Sequence, residues 1–227
     1  MADSISIRTP HDVSADAGVR MDAMYRHQRH FYDLSRKFYL FGRDRLLDLL
    51  PVGPGDAVLE IGCGTGRNLV GLAKRRPAAR LYGVDIANVM LATAEASLRR
   101  AGLTGKVRLA HSGAQGFDPT EAFGIESFDV VYFSYVLSMI PDWQNAVAAA
   151  LRCLRPGGTL AVVDFADQTK VGPLRRALLL AWLRLFHVHP RTEIEHGLRA
   201  IAAREGGLVR DEDVLSGYAY LMMIRKA

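Results

Sequence analysis

The stretch Ala57-Val58-Leu59-Glu60-Ile61-Gly62-Cys63-Gly64-Thr65-Gly66 constrains this chain more than any other. A short apolar run leads into three glycines at alternate positions, and Asn68–Arg75 then takes up helical spacing. That is a buried strand, a tight turn and a helix. Each glycine removes a Cβ that would keep a ligand from the backbone and tolerates the φ > 0 geometry of such a turn. The helix that follows aims its unpaired N–H groups into the turn. A dinucleotide fingerprint needs Gly-x-Gly-x-x-Gly, but here Arg67 stands at the position of the third glycine, and Gly66 comes one residue early. Glu60, just before the turn, suits an ammonium and would repel a pyrophosphate. Asp85, at the end of the next apolar run, can accept both hydroxyls of a ribose. The ligand this pattern wants carries a ribose and a positive group, with no phosphate.

The rest of the central chain alternates as a doubly wound α/β fold does. Strands are predicted at 80–86, 107–111, 128–133 and 159–165. Helices are predicted from Asn88, which can cap its own helix, to Arg100, and from Asp142 to Leu154. Arg155-Pro156-Gly157-Gly158 is expected to stop the latter. Beyond them a helix is expected over Thr192–Arg204, then two strands, 208–216 and 218–225, turning at Gly217 as an antiparallel edge pair.

The flanks differ in character. Residues 1–18 are polar and aperiodic, as in a mobile tail. From Val19, Met21, Met24, Tyr25, Gln28, Phe31, Tyr32 and Ser35 fall on one helical face. Between Arg20 and Arg45 there are seven Arg or Lys against three Asp. Pro173 to Phe186 reads as a helix apolar on nearly every side, interrupted by Arg175, Arg176 and Arg184, with no acid through Arg191. Such basic, aromatic stretches can lie on an anionic membrane; they can equally pack an apolar face on the domain with their charges in water. No run approaches the ~20 apolar residues of a transmembrane helix, and no secretory signal is visible at the N-terminus. Two cysteines, Cys63 and Cys153, give neither a disulfide framework nor a familiar metal spacing, and no metal is expected. The net charge of +5 and the isoelectric point of about 9.4 allow a nucleic-acid partner. The basic segments are aliphatic, however, and no RNA-binding module is present, so none is expected.

Glu60–Gly66, Val84-Asp85-Ile86 with Met90, Phe128-Asp129-Val130-Val131 and Leu154-Arg155-Pro156-Gly157-Gly158, in that order, resemble the class I S-adenosylmethionine-dependent methyltransferases. The resemblance implies a Rossmann-like, seven-stranded, mostly parallel sheet. It also implies S-adenosyl-L-methionine as cofactor and S-adenosyl-L-homocysteine as product. Glu60, Gly62, Gly64 and Gly66 would hold the methionine portion, Asp85 the ribose, and Ile86 and Met90 would border the adenine. Gly113 stands where the family often has an acid, leaving Ala114, Gln115 or backbone groups to meet the adenine; Ser134 completes the cofactor set.

The segments Tyr25–Asp33, Arg36–Asp44, Phe133–Pro141 and Phe186–Arg191 look like the bacterial betaine-lipid N-methyltransferases, which convert diacylglyceryl-homoserine to its N-trimethyl form. That resemblance implies a lipid substrate at an anionic membrane surface and a cytoplasmic protein peripheral to the inner face of the membrane. Tyr25, Tyr32 and Tyr135 become candidate catalytic residues, since tyrosines can stabilise a growing quaternary ammonium; His189 is a candidate for proton transfer. Arg36, Arg43 and Arg191 are candidate grips for the headgroup carboxylate. Phosphatidylethanolamine N-methyltransferases share the amphipathic N-terminal helix, and an ethanolamine phosphate would satisfy the same arginine; a soluble small-molecule methyltransferase would use 173–191 as a substrate lid. A protein that keeps the fold without the catalysis is a further alternative. The expected organisation is a tail (1–18), a helical cap (19–50) and a methyltransferase domain (51–227) with a helical insertion near 173–204. Headgroup, number of transfers and oligomeric state stay open.

Overall fold

The computed structural model describes residues 40–166 and 191–227. The expected tail, the amphipathic helix from Val19 and the helix from Pro173 to Phe186 lie outside the described residues. The strands are β1 (Ala57–Ile61), β2 (Arg80–Asp85), β3 (Val107–His111), β4 (Phe128–Ser134), β5 (Leu154–Phe165), β6 (Leu208–Val214) and β7 (Ala219–Arg225). The helices are α1 (Arg43–Leu49), α2 (Arg67–Arg75), α3 (Asn88–Arg100), α4 (Pro119–Phe123), α5 (Trp143–Cys153) and α6 (Thr192–Arg204), with a 3₁₀ turn at Leu137–Met139.

One sheet runs in the order β3-β2-β1-β4-β5-β7-β6. The first five strands pair in parallel, and β7 runs antiparallel to both of its neighbours. Alternate residues of the central strands feed two separate cores, as a doubly wound sheet requires. Val58, Val130 and Ala161 pack with Leu46 and Leu47 of α1, Leu69 and Leu72 of α2, and Leu91 and Leu98 of α3. Leu59, Val131 and Val162 pack with Phe123 of α4, Trp143 and Val147 of α5, and Ile194 and Leu198 of α6. This is the Rossmann-like methyltransferase architecture that the motifs imply. The chain reverses order between β1 and β4, the crevice where such sheets bind ligands.

Three local features differ from the sequence-based expectation. Asn88 lies inside α3 and caps nothing; Ala87 takes the cap position without a side-chain cap, and its amide is held instead by Asp85 Oδ1 at 2.9 Å. The Pro156-Gly157-Gly158 turn does not precede β5 but interrupts it. The strand pairs at Leu154 with Phe128, slips its register, and resumes at Thr159 opposite Val130. The last two strands form the expected antiparallel pair at one edge of the sheet, with β7 next to β5 and β6 outermost. Helix α4 was not anticipated. Asp118 accepts the amides of Thr120 (2.7 Å) and Glu121 (3.1 Å), Pro119 fills the first turn and Gly124 closes the helix at φ 68°.

Candidate active site

The pocket at the β1–β4 crevice is built first from the glycine turn. Gly62, Gly64 and Gly66 have φ of 73°, 52° and 75°, the left-handed region that side chains disfavour. Gly62 N–H and Cys63 N–H both donate to Val84 O (2.8 and 2.9 Å), tying the turn to β2. A Cβ on Gly62 would stand 2.6 Å from Val136 Cγ2, whereas one on Gly64 would meet no protein atom within 4 Å and would project into open space. The turn is therefore packed at Gly62 and open to a ligand at Gly64.

Two carboxylates face this opening. Asp85 Oδ2 accepts Gly64 N–H at 2.8 Å, so the second strand fixes the turn and presents its carboxylate edge beside it. Glu60 is 2 % exposed and sits opposite Tyr132 across the β1–β4 pair. Its Oε1 accepts Asn68 Nδ2 at 2.7 Å, while Oε2 is buried with no hydrogen-bond partner among the described residues. Burial pushes the Glu60 carboxyl up to about 8, against the opposing pull of Asn68 and of the neighbouring Tyr132 hydroxyl. A buried acceptor left unpaired costs free energy, and a cation donating there would relieve it. The Ser134 hydroxyl, also at the pocket, is likewise buried without a partner.

The walls come from four places: Leu40 and Arg43 at the start of the described chain, Ile86 and Met90 beyond β2, Ser112, Ala114 and Gln115 beyond β3, and Ser134 to Val136 with Met139 to Pro141 beyond β4. Among the expected cofactor residues, Glu60, Gly62, Gly64, Asp85, Ile86, Met90, Ala114, Gln115 and Ser134 line the pocket; Gly66 and Gly113 do not. Gly66 starts α2, where a Cβ would press on Ala94 at 3.1 Å. His111, not anticipated, contacts Ile86 O through Nε2 at 2.8 Å and so steadies the segment expected to border an adenine.

The expected acceptor-side residues fare differently. Tyr25, Tyr32, Arg36 and His189 lie outside the described residues. Arg43 lines the pocket and its Nε donates to Leu40 O at 3.3 Å. Tyr135 also lines it, but its hydroxyl donates to Phe41 O, and burial drives that hydroxyl well above the ordinary tyrosine range. It is not poised as a base. Arg191 is not among the pocket residues; its Nη1 donates to Ile140 O at 2.9 Å and its Nε pairs with Glu193 at 2.7 Å.

Pocket residues not named as site candidates from the sequence include Arg67, Asn68, Ser112 and Val136, together with Met139, Ile140 and Pro141 of the Phe133–Pro141 segment. Arg67 and Asn68, the first two residues of the helix behind the glycines, could have been read from that place. The course of 136–141 is set by tertiary bonds.

The unpaired Glu60 oxygen, the open Gly64 and the Asp85 edge fit the ammonium, methionine chain and ribose of S-adenosylmethionine. Residues 58–158 match the family described as "Methyltransferase domain". This stretch is a class I, S-adenosylmethionine-dependent methyltransferase domain. S-Adenosyl-L-methionine is its cofactor and S-adenosyl-L-homocysteine the product. The domain is 39% identical over 138 residues to nocamycin O-methyltransferase of Saccharothrix syringae, which covers 58% of this chain and 47% of that protein. It is 31% identical over 144 residues to demethylmenaquinone methyltransferase of Thermus thermophilus, covering 61% of this chain and 63% of that protein. Across the first curated relatives, the chain spans about half of their length. In overall shape it resembles an O-methyltransferase family 2 protein from Planctomyces limnophilus (TM-score 0.66, 22% identity, 97% of this chain and 66% of that one). That likeness concerns the methyltransferase fold alone.

Proposed function

We propose that this protein transfers the methyl group of S-adenosylmethionine to the amine of a lipid headgroup, with diacylglyceryl-homoserine as acceptor and its N-trimethyl betaine lipid as end product. The observation that carries the proposal is the junction at Leu40–Arg43. The basic, aromatic N-terminal segment enters the described structure there, and Leu40 and Arg43 form one wall of the cofactor pocket itself. Next to them stands Tyr135, its hydroxyl bonded to Phe41 O, and Val136, Met139, Ile140 and Pro141 continue the lining. An apolar mouth with a guanidinium at its rim suits an acceptor that joins an aliphatic body to an anion.

S-Adenosylmethionine supplies an already activated methyl on a sulfonium. The protein's part is then alignment and exclusion of water, which account for much of the acceleration in reactions of this kind. Glu60 and the turn hold the donor, and the apolar wall shields the methyl. Among the described pocket residues, Glu60 is turned to the donor, Asp85 is bonded to the turn, and the Tyr135 hydroxyl is committed to Phe41. None is set up as a base. An amine that enters unprotonated needs none at the moment of attack and loses its proton to water afterwards.

A second reading is a soluble small-molecule acceptor methylated at oxygen or carbon. It is favoured by the relatives, whose names specify nocamycin and demethylmenaquinone. Phosphatidylethanolamine is the rival lipid. The test is to offer diacylglyceryl-homoserine and phosphatidylethanolamine in mixed micelles, and a short water-soluble amine without detergent, each with labelled S-adenosylmethionine. Label in diacylglyceryl-homoserine, with successive methyl increments by mass, supports the proposal; label only in the soluble amine overturns it.

A further inference from the structure

The loop between β4 and α5, residues 135–141, lines the cofactor pocket on one side and is held on its other sides by groups distant in sequence. Its own backbone bonds are few: Met139 N–H to Val136 O at 3.0 Å and Ile140 N–H to Leu137 O at 3.1 Å. Tyr135 has φ 58°, a conformation that costs a residue with a Cβ ~1–2 kcal/mol. Its ring lies against Phe165 at 4.6 Å and its hydroxyl is bonded to Phe41 O, so packing and a tertiary hydrogen bond hold that strain. Asp164 Oδ2 accepts Ser138 N–H at 3.0 Å from the end of β5.

At the far end of the loop, Arg191 Nη1 donates to Ile140 O at 2.9 Å and reaches Pro141 O at 3.5 Å. These carbonyls follow the last 3₁₀ turn, where backbone acceptors lack partners of their own. A charged donor makes a stronger bond to them than a neutral one. Behind Arg191, helix α6 presses Gly197 on Trp143, the first residue of α5; a Cβ there would stand 2.2 Å from the indole. The loop is thus pinned by the N-terminal flank at its start and by the segment leading into α6 at its end.

We propose that Arg191 and Tyr135 are positioning residues for methyl transfer, which hold this loop, and with it the acceptor wall, through Ile140, Pro141 and Phe41. Arg191 acts on the carbonyls of Ile140 and Pro141 and does not grip the acceptor. The inference takes from the proposed function only that the acceptor enters past residues 135–141. Its consequence is that losing either contact shifts the acceptor wall at 136–141.

The test uses the full chain and the variants R191A, R191K and Y135F. The first measurement needs no acceptor: amide hydrogen exchange with saturating S-adenosylhomocysteine. R191A and Y135F should speed exchange within 136–141 by about tenfold, the loss of one tertiary hydrogen bond. Exchange in β3 (Val107–His111), remote from the loop in the sheet, should be unchanged. R191K should fall between, because an ammonium reaches one carbonyl without the planar fork. Unchanged loop exchange in R191A overturns the role of Arg191, and in Y135F that of Tyr135.

The second measurement is methyl transfer to diacylglyceryl-homoserine and to the same lipid with its carboxylate removed. Positioning requires R191A to lower kcat/KM by the same factor on both. A loss confined to the carboxylate-bearing lipid would mean that Arg191 grips the acceptor, and it would overturn the inference. If the unmodified protein methylates neither lipid, the acceptor assignment fails, and hydrogen exchange still decides the role of the loop.

Discussion

At the scale of single residues, two buried carboxyls dominate the electrostatics. Glu60 is pushed up to about 8 and Asp164 to about 6, both chiefly by burial and each against opposing hydrogen bonds. A carboxyl whose folded value exceeds its unfolded value favours the folded state while it keeps its proton, and that advantage is lost as pH rises through the folded value. The cofactor-free protein should lose melting temperature between about pH 5 and about pH 9. Asp44, Asp129, Glu193 and Glu212, all held below the ordinary range, are ionised throughout that window and do not shape it. Thermal scans across pH check this, and E60Q should flatten the upper half of the slope. The two turn glycines separate stability from binding. G62A forces a Cβ onto Val136 in a left-handed conformation and should cost about 1–3 kcal/mol in denaturant unfolding. G64A carries the backbone strain alone, and its methyl occupies ligand space, so S-adenosylhomocysteine affinity should fall further than stability does.

At the scale of elements, what could be read from the sequence divides along a physical line. The parallel strands were legible because burial on both faces writes continuous apolar runs, and the intervening helices because Pro77, Gly102 and Pro156 punctuate them. Helix α4 carried a full set of local signals in Asp118-Pro119-Thr120-Glu121 but is too short to show periodicity. The interrupted start of β5 and the pairing of β7 with β5 depend on partners far away in sequence, which no local pattern encodes. In the pocket, Glu60, Asp85 and the glycines announced themselves through spacing. Asn68 and the wall at 139–141 did not, because they reach the site through contacts made by neighbouring elements. The contact of α6 with α5 gives a direct check: G197A must displace the Trp143 indole. It should lower unfolding stability by about 1–3 kcal/mol, with a red shift in tryptophan emission as that side chain is forced toward water.

At the scale of the whole molecule, the fold supplies the donor site from its centre, and the proposed acceptor side lies where residues next to the flanks reach the pocket. Leu40 and Arg43 mark where the N-terminal flank reaches the pocket, and Arg191 marks where the other flank returns. No helix among the described residues is long and apolar enough to cross a membrane. If the flanks bring the site to a lipid surface, anionic vesicles should sediment the full chain at low salt. Added salt should release it, because such attraction falls off within a Debye length of about 10 Å at 0.1 M. Failure to bind vesicles at low salt would count against the lipid acceptor while leaving the donor site untouched.

The account rests on S-adenosylmethionine occupying the Glu60–Gly66 turn, with its ammonium at the unpaired Glu60 oxygen. Because that carboxyl holds its proton near neutrality, seating a cation beside it must expel the proton. Calorimetric titration of S-adenosylhomocysteine near neutral pH, in two buffers of different ionisation enthalpy, measures this directly. The expected result is one site per chain, with proton release that disappears in E60Q together with about tenfold or more of the affinity. Binding with equal heats in both buffers and no loss in E60Q would contradict the account.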